Sequence, residues 1–202
     1  MSKIYDTKIE LLREYRIAKD TVSDINEHLE ILKALADEVN HVTEMGVRTG
    51  GSTRAFLISD VTLRSYDLFL DQRVNELINI AKQLGKDVEY KQQDVLDFQI
   101  EKTDLLFLDT WHSYDQLIEE LRLHAHNVRK YIVFHDTQTY GTKSENFMGK
   151  GGSNGLLPAI IHYMIESGDQ WKFKIHRTNN NGLTVIERRN PLDALTKLPY
   201  NT

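Results

Sequence analysis

Two uninterrupted apolar runs constrain the fold of this chain more than any other feature of its sequence. The segment Asp104–Asp109 contains Leu-Leu-Phe-Leu, and Lys130–His135 contains Tyr-Ile-Val-Phe. Runs of this length without alternating polar residues are typical of strands that are buried on both faces, as in a parallel sheet covered by helices. We therefore expect an α/β protein whose central strands include these two segments.

Shorter strand and helix patterns alternate along the rest of the chain. We predict further strands at His41–Gly46, Thr62–Leu70, Asp87–Gln93, Trp171–Thr178 and Gly182–Arg188, and helices at 21–40, Ser52–Ser59, Arg73–Leu84, Tyr114–Val128 and Leu156–Ser167. This order predicts a doubly wound, Rossmann-like α/β sheet of seven strands, mostly parallel, with an antiparallel strand in the C-terminal hairpin. Right-handed crossovers bring the strand-to-helix loops to one edge of the sheet, where ligands bind.

The composition excludes several classes of site and partner. The 202 residues include no cysteine, so a disulfide, a thiolate zinc site and a cysteine nucleophile are impossible. The net charge is −5 and no basic run is present, so we expect no nucleic-acid partner. Residues Met1–Asp20 lack the apolar core of a signal peptide, and no stretch has membrane-spanning length. We therefore expect a cytoplasmic protein without a membrane partner.

A glycine-rich segment, Glu44–Thr53, joins the first predicted strand to the next helix. Gly46 allows a tight turn, and Gly50 and Gly51 allow a ligand to approach the backbone closely. The spacing departs from the dinucleotide fingerprint G-x-G-x-x-G because position 48 is arginine, which disfavours a nicotinamide or flavin cofactor. A purely structural turn is the alternative at this point.

Acidic residues follow the first three predicted strands. Asp67 lies about 20 residues after the glycine turn, where a carboxylate accepts hydrogen bonds from ribose hydroxyls. Asp94 follows the third strand, where it could reach an adenine amino group. Glu44 would repel a pyrophosphate but attract the ammonium and sulfonium of a cationic ligand. Alternatively, these residues are ordinary surface acids.

The order of these motifs resembles class I S-adenosylmethionine-dependent methyltransferases. The pattern E-x-G-x-x-x-G-G-S-T is followed by Asp67, by Asp94-Val95 and by D-L-L-F-L-D-x-x-H-S-Y, from about His41 to about Arg188. It is most similar to the family of macrocin O-methyltransferase and cephalosporin hydroxylase, with catechol O-methyltransferase more distant. The resemblance implies that residues 1–40 are an N-terminal helical segment, 41–190 the S-adenosylmethionine-binding domain and 191–202 a tail.

The resemblance also implies a set of cofactor contacts. Asp67 would hold the ribose of S-adenosylmethionine and Asp94 its adenine. The residues expected around the methionine part are Glu44, Gly46, Thr49, Gly50, Gly51, Ser52 and Asp109.

Four side chains are expected to converge beyond the fourth and fifth strands. Asp109 ends the fourth strand, His112 follows it, and His135 and Asp136 end the neighbouring fifth strand. Two carboxylates at one point need a compensating positive charge. A divalent cation would supply it, and the oxygen-rich ligand set suits magnesium, while an added imidazole favours manganese.

The resemblance assigns roles to this group. It implies that Asp109, His135 and Asp136 bind the metal and that His112 is the base that deprotonates the substrate hydroxyl. The relatives carry a carboxylate at the position of His135, so His135 could instead orient another group.

We therefore expect an enzyme that transfers a methyl group from S-adenosylmethionine to a hydroxyl of a small molecule, such as a sugar or a glycosylated metabolite. The polar, glycine-rich segment Gln138–Asn154 would form a lid over the reacting groups. Apolar positions within 21–39 could serve a homo-oligomer, as relatives form oligomers. Three alternatives stay open: a metal-independent methyltransferase with His112 alone as base, a non-catalytic S-adenosylmethionine-binding protein, and a nicotinamide oxidoreductase.

Overall fold

Seven strands form one sheet in the computed structural model, which describes residues 2–146, 152 and 154–190. Their order across the sheet is β3-β2-β1-β4-β5-β7-β6, and only β7 runs antiparallel to its neighbours. The predicted fold class is thereby confirmed. The strands are β1 His41–Met45, β2 Thr62–Asp67, β3 Val88–Gln92, β4 Thr103–Leu108, β5 Val128–His135, β6 Trp171–Arg177 and β7 Leu183–Arg188.

Helices cover both faces of this sheet. They are α1 Ser2–Asp20, α2 Leu29–Ala36, α3 Gly51–Leu57, α4 Gln72–Gln83, α5 Tyr114–His124 and α6 Leu156–Glu166, with 3₁₀ turns at Asn26–His28 and Ala125–Asn127. Buried residues of α1 to α4 share one apolar cluster with one face of the sheet, and those of α5 and α6 share a second cluster with the other. None of the helices in the described ranges combines the length and apolar character that crossing a bilayer demands.

The two apolar runs form the centre of the sheet, as predicted. In β4, Leu105 and Phe107 belong to the first cluster, while Leu106 and Leu108 belong to the second. This alternation follows from the two-residue repeat of a strand, and it explains why no polar residue interrupts the run. The end of β4 is therefore held in place by packing on both sides, which fixes the position of the next residue, Asp109.

The N-terminal region differs from the prediction. Helix α1 lies within residues 1–40, which were expected to be helical, although no separate helix was predicted before residue 21. Its Glu14 is buried and pairs with Arg54 and Arg73. The single helix predicted over 21–40 is instead an irregular segment, a 3₁₀ turn and the short α2. Ser23 bends the chain here, since its Oγ accepts a hydrogen bond from the backbone N–H of Asn26 at 3.1 Å.

A homo-oligomer stays a prediction, and Val22 is exposed, but the six residues of the apolar pattern within 21–39 are buried. They pack inside the chain against the sheet: Ile25, Leu29, Leu32, Leu35, Ala36 and Val39. The apolar periodicity was read correctly, but it marked a core-facing helix. Sequence periodicity does not distinguish burial within a chain from burial between chains.

Two loops are shaped differently from the prediction. Strand β2 ends at Asp67 rather than Leu70, because an Asp67 carboxylate oxygen accepts a hydrogen bond from the N–H of Phe69 at 3.0 Å. Leu68, Phe69 and Leu70 consequently form an exposed loop. Part of the predicted lid, residues 147–151 and 153, and the predicted tail 191–202 lie outside the described residues.

Candidate active site

The glycine turn after β1 lies directly against the end of β4. Gly46 has φ +82°, and a Cβ atom at this position would lie 2.0 Å from the carbonyl oxygen of Asp109. Only glycine permits so close an approach of two backbones. The N–H of Asp109 also donates to the carbonyl of Met45 at 2.9 Å. The first predicted motif and the predicted metal site are therefore one continuous structure.

Asp67 connects this turn to the end of β2. Its Oδ2 accepts hydrogen bonds from the N–H groups of Val47 and Arg48 at 2.7 and 2.8 Å. Arg48 has φ +49°, a backbone conformation that disfavours a side chain, so the carboxylate supports a strained part of the turn. Contact between Asp67 and a ribose remains a prediction. The position of Asp67 beside the glycine turn agrees with such a contact.

Glu44 lies beneath the turn and is fully buried. Its carboxylate accepts hydrogen bonds from the hydroxyls of Ser52 at 2.5 Å, Ser65 at 2.6 Å and Thr53 at 3.0 Å. Burial raises the pKa of Glu44 to about 7, against the effect of the three hydroxyl donors. Glu44 and Ser52 therefore bind each other behind the turn, an arrangement that the sequence pattern did not predict. Gly50, with φ +76°, precedes α3 as its N-cap.

Two adjoining cavities lie at this edge of the sheet. The larger, about 540 Å³, is lined by predicted site residues from four segments: Gly46, Asp67, Asp94, Asp109 and His112. The smaller, about 260 Å³, is lined by Thr49, Gly51 and Ser52 together with residues of α1 and the segment after it. Asp109 and Arg48 line both cavities, so they mark the boundary between them.

Asp109, His112 and Asp136 form a group that could hold a metal ion. One ligand atom of each residue lies within 4.8 Å of the others. The Nε2 atom of His112 lies 3.2 Å from Oδ1 of Asp109 and 3.0 Å from Oδ2 of Asp136. Asp136 is buried at φ +60°, and its Oδ1 has no hydrogen-bond partner among the described residues. A strained residue with an unsatisfied buried oxygen is a mark of a functional site.

The charges in this group compensate one another. Burial disfavours ionised Asp109, but hydrogen bonds from His112 and His135 outweigh burial and hold its pKa well below the usual range. Burial likewise opposes the charge of His112, but hydrogen bonds to Asp109 and Asp136 raise its pKa to about 10. Without another cation, protonated imidazole rings therefore supply the positive charge that the two carboxylates need.

His135 faces in two directions at the end of β5. Its Nε2 donates to the carbonyl of Asp24 at 3.0 Å, and its Nδ1 lies 3.2 Å from Oδ1 of Asp109. Both nitrogens thus face acceptors, an arrangement that favours the doubly protonated ring. This geometry favours the alternative in which His135 orients Asp109. A metal-ligand role for His135 stays a prediction, and Nδ1 of His135 lies farther from Oδ2 of Asp136, at 3.6 Å, than Nε2 of His112 does, at 3.0 Å.

The segment predicted as a lid contributes two contacts to His112. The Nδ1 atom of His112 lies 3.0 Å from Oε2 of Glu145, and the ring of Tyr140 stacks on the imidazole at a centroid distance of 4.8 Å. Glu145 was not identified from the sequence, because no local motif marks it. Only the return of the chain over the sheet edge brings it to His112, 33 positions away.

Arg48 lies between the two cavities and contacts the segment that precedes α2. Its Nη1 lies 2.8 Å from Oδ2 of Asp24, and three-quarters of its side chain is exposed. The sequence analysis used this arginine only to disfavour a dinucleotide. The structure shows that it joins the glycine turn to the segment between α1 and α2.

No protein-family model matches the sequence, and no curated protein matches it. Solved structures do match. The chain is similar to a 1,6-didemethyltoxoflavin-N1-methyltransferase of Burkholderia thailandensis, solved with 1,6-didemethyltoxoflavin and S-adenosylhomocysteine (SAH). The TM-score is 0.61 at 13% identity, over 91% of this chain and 87% of the other.

Two further similar structures are methyltransferases that act on different kinds of acceptor atom, oxygen in one and nitrogen in the other. One is an O-methyltransferase of Bacillus cereus in complex with SAH, with a TM-score of 0.59 at 13% identity over 91% of each chain. The other is the N-methyltransferase NodS of Bradyrhizobium japonicum in complex with SAH, with a TM-score of 0.57 at 16% identity, over 92% of this chain and 98% of the other. The chain therefore has the fold of class I S-adenosylmethionine-dependent methyltransferases, as the sequence resemblance implied.

Proposed function

We propose that this protein is an S-adenosylmethionine-dependent methyltransferase that methylates a hydroxyl group of a small molecule with the help of a divalent cation. One observation carries the proposal. Asp109, His112 and Asp136 meet at the cavity edge of the sheet, in a fold whose solved neighbours bind SAH. Because both N- and O-methyltransferases share this fold, the assignment to a hydroxyl rests on the site and not on the fold.

The two cavities suit the two halves of the cofactor. The adenosine would occupy the larger cavity, with Asp67 for the ribose hydroxyls and the adenine towards the part of the wall that Asp94 lines. The methionine part would lie along Gly46 towards Thr49, Gly51 and Ser52, which line the smaller cavity. The larger cavity has a volume in the usual range for small-molecule sites. Bound cofactor would supply an electrophilic methyl group, and Asp109 lies where the two halves would join.

The residues present fit a divalent cation. Asp109 and Asp136 offer carboxylate oxygens, and Oδ1 of Asp136 lacks a partner among the described residues. Such oxygen donors suit magnesium or manganese. A cation held there would lower the pKa of an alcohol acceptor. It would also replace the imidazolium charge that these carboxylates now attract, so that Nε2 of His112 becomes available as a neutral base.

His112 is held in a position to take the proton from the acceptor. Glu145 contacts its Nδ1, Tyr140 stacks on its ring, and the side chain lines the larger cavity beside Asp109. A ring fixed on two sides loses little freedom when the acceptor binds, which favours reaction. The nearby carboxylates stabilise the imidazolium that proton transfer produces.

A second mechanism is supported by two contacts of His112. His112 already bonds Asp109 and Asp136 directly, so the three residues could act without a metal, with His112 alone as base. A non-catalytic binding protein with the same fold is the third possibility.

Titration calorimetry with SAH and with NADH tests the cofactor. We expect SAH to bind and NADH not to bind; preferential NADH binding would overturn the proposal. Methyl transfer from labelled S-adenosylmethionine to sugars, glycosides and catechols is then measured after EDTA treatment and again with Mg²⁺ or Mn²⁺. Restored transfer supports the metal mechanism, and transfer that EDTA leaves unchanged supports His112 alone. Cofactor binding without transfer to any hydroxylated compound would favour the binding protein.

A further inference from the structure

Helix α5 contains a carboxyl group that the proposed mechanism does not use. Glu120 is fully buried, and its Oε1 accepts hydrogen bonds from the hydroxyl of Thr110 at 2.6 Å and from the side-chain amide of Gln116 at 2.8 Å. Its Oε2 is buried with no partner among the described residues. Burying a carboxyl group is unfavourable, so a buried one that holds two neighbours needs a functional explanation.

The contact with Glu120 determines which way the Gln116 amide is oriented. Oε1 of Glu120 can only accept from Gln116, so the amide presents its nitrogen to Glu120 and its carbonyl oxygen elsewhere. The same holds whether Glu120 is ionised or carries a proton on Oε2. Burial raises the pKa of Glu120 to about 7, which agrees with a proton on that oxygen at and below neutral pH.

Gln116 lies at the wall of the larger cavity, one helical turn before Glu120. The apolar part of the cavity lining includes Leu68, Phe69, Val95 and Trp111. Apolar and aromatic surfaces of this kind suit a planar base. Because the nitrogen of the Gln116 amide is held by Glu120, its carbonyl oxygen is the acceptor left for a ligand in this cavity, where it would suit a donor on the edge of the base.

We propose that Gln116 recognises the 6-amino group of adenine through its carbonyl oxygen and that Glu120 is the residue that positions it. This inference rests on the proposed S-adenosylmethionine function and adds the residue that selects adenine. Asp94, the residue predicted for this contact, is exposed, and its Oδ1 already accepts the N–H of Leu96 at 2.9 Å. The 6-oxo group of hypoxanthine is an acceptor, so it would face the Gln116 carbonyl with an unfavourable interaction.

The test compares SAH with S-inosylhomocysteine, which carries a 6-oxo group in place of the 6-amino group, by calorimetric titration of the intact chain. Wild type should prefer SAH by about tenfold or more, the scale of one hydrogen bond exchanged for a repulsive contact. Gln116→Met keeps the length of the side chain but removes the acceptor, and it should abolish most of this preference. Glu119→Gln, an exposed change on the same helix, is the matched control and should keep it.

Variants of Glu120 test its positioning role. Glu120→Gln keeps an acceptor oxygen for Thr110 and Gln116 and should keep the preference, whereas Glu120→Met removes the acceptor and should reduce it. A purely structural role would lower the affinity for both ligands equally.

Equal losses for both ligands in Gln116→Met, or a wild-type protein that binds SAH without preference, would overturn this inference and leave the proposed function intact. A wild-type protein that binds neither ligand would overturn both.

Discussion

The Nε2 atom of His112 lies 3.0 Å from Oδ2 of Asp136, although the two residues follow different strands of the sheet. Because β4 and β5 are parallel neighbours, their C-terminal ends meet at the same edge and bring this pair together. The imidazole of His112 therefore already interacts with the carboxylates of Asp109 and Asp136 in the protein without a ligand.

Asp136→Asn should weaken the binding of Mn²⁺ strongly. The change removes one of the two carboxylates and leaves a neutral amide oxygen, which is a poorer ligand for a hard cation. We expect a loss of at least about tenfold in affinity, the lower end of the effect known for groups that only support metal ligands. Calorimetric titration with Mn²⁺ measures it. Asp60→Asn is the control, because Asp60 is exposed and lies just before the start of β2, away from the edge at which the strands end. Equal affinities in wild type and Asp136→Asn would remove Asp136 from the site.

His112→Ala should lower methyl transfer by about 10²- to 10⁴-fold, the usual contribution of a general base. Affinity for SAH should stay close to that of wild type, because the base contacts the acceptor rather than the cofactor. Single-turnover assays and SAH titrations measure the two quantities separately. Unchanged transfer would exclude His112 as base. If Mn²⁺ affinity falls together with transfer, His112 is a metal ligand instead.

Asp67→Ala should weaken SAH binding by about 1–3 kcal/mol, the scale for losing a hydrogen-bonding group in a buried contact. Part of this loss comes through the glycine turn, because Asp67 holds the N–H groups of Val47 and Arg48. Calorimetry on SAH and on 5′-methylthioadenosine, which lacks the amino-acid part, checks the assignment to ribose. A contact with the ribose lowers both affinities, whereas a loss confined to SAH would point to the methionine side.

Glu44→Gln should gain stability relative to wild type as the pH rises. The pKa of Glu44 is about 7 in the folded protein and 4.5 as its ordinary value, so the folded state binds the proton more tightly. Below pH 4.5 Glu44 is protonated in both the folded and the unfolded state. Between pH 4.5 and 7 the free energy of unfolding of wild type falls by up to about 3 kcal/mol, whereas that of Glu44→Gln does not, because glutamine does not titrate. Urea unfolding at pH 5 and pH 8 measures this difference. A constant difference between the two pH values would show that Glu44 ionises with its ordinary pKa despite its burial.

The fold was largely predictable because its signals are local. The apolar runs in β4 and β5 marked strands buried on both faces, and the positions of Gly46, Asp67 and Asp109 at strand ends predicted that they would meet at one edge. The bounds of helix α1 within the expected helical segment 1–40 were not predictable in the same way. The apolar stripe of this helix contains Glu14, whose burial depends on Arg54 and Arg73 from other parts of the chain.

The sequence predicted which residues would lie near one another at this edge of the sheet, but it did not predict the hydrogen bonds that they make. Glu44 was expected to face a cationic ligand, whereas its carboxylate bonds three hydroxyls behind the glycine turn. Glu145 and the pair of Gln116 with Glu120 were not identified at all. Side-chain direction depends on neighbours that are distant in sequence, and a motif does not encode those neighbours.

By itself, the sequence determined the order of strands and helices along the chain, the edge of the sheet where ligands are expected to bind and the residue types gathered there. These follow from periodicity and from the geometry common to parallel sheets. Only the tertiary structure decided that His112 lies closer to Asp136 than His135 does, at 3.0 Å against 3.6 Å, and that the other nitrogen of His135 bonds the carbonyl of Asp24. The physical reason is that each imidazole nitrogen bonds the nearest acceptor that packing leaves available, and packing is a property of the whole chain.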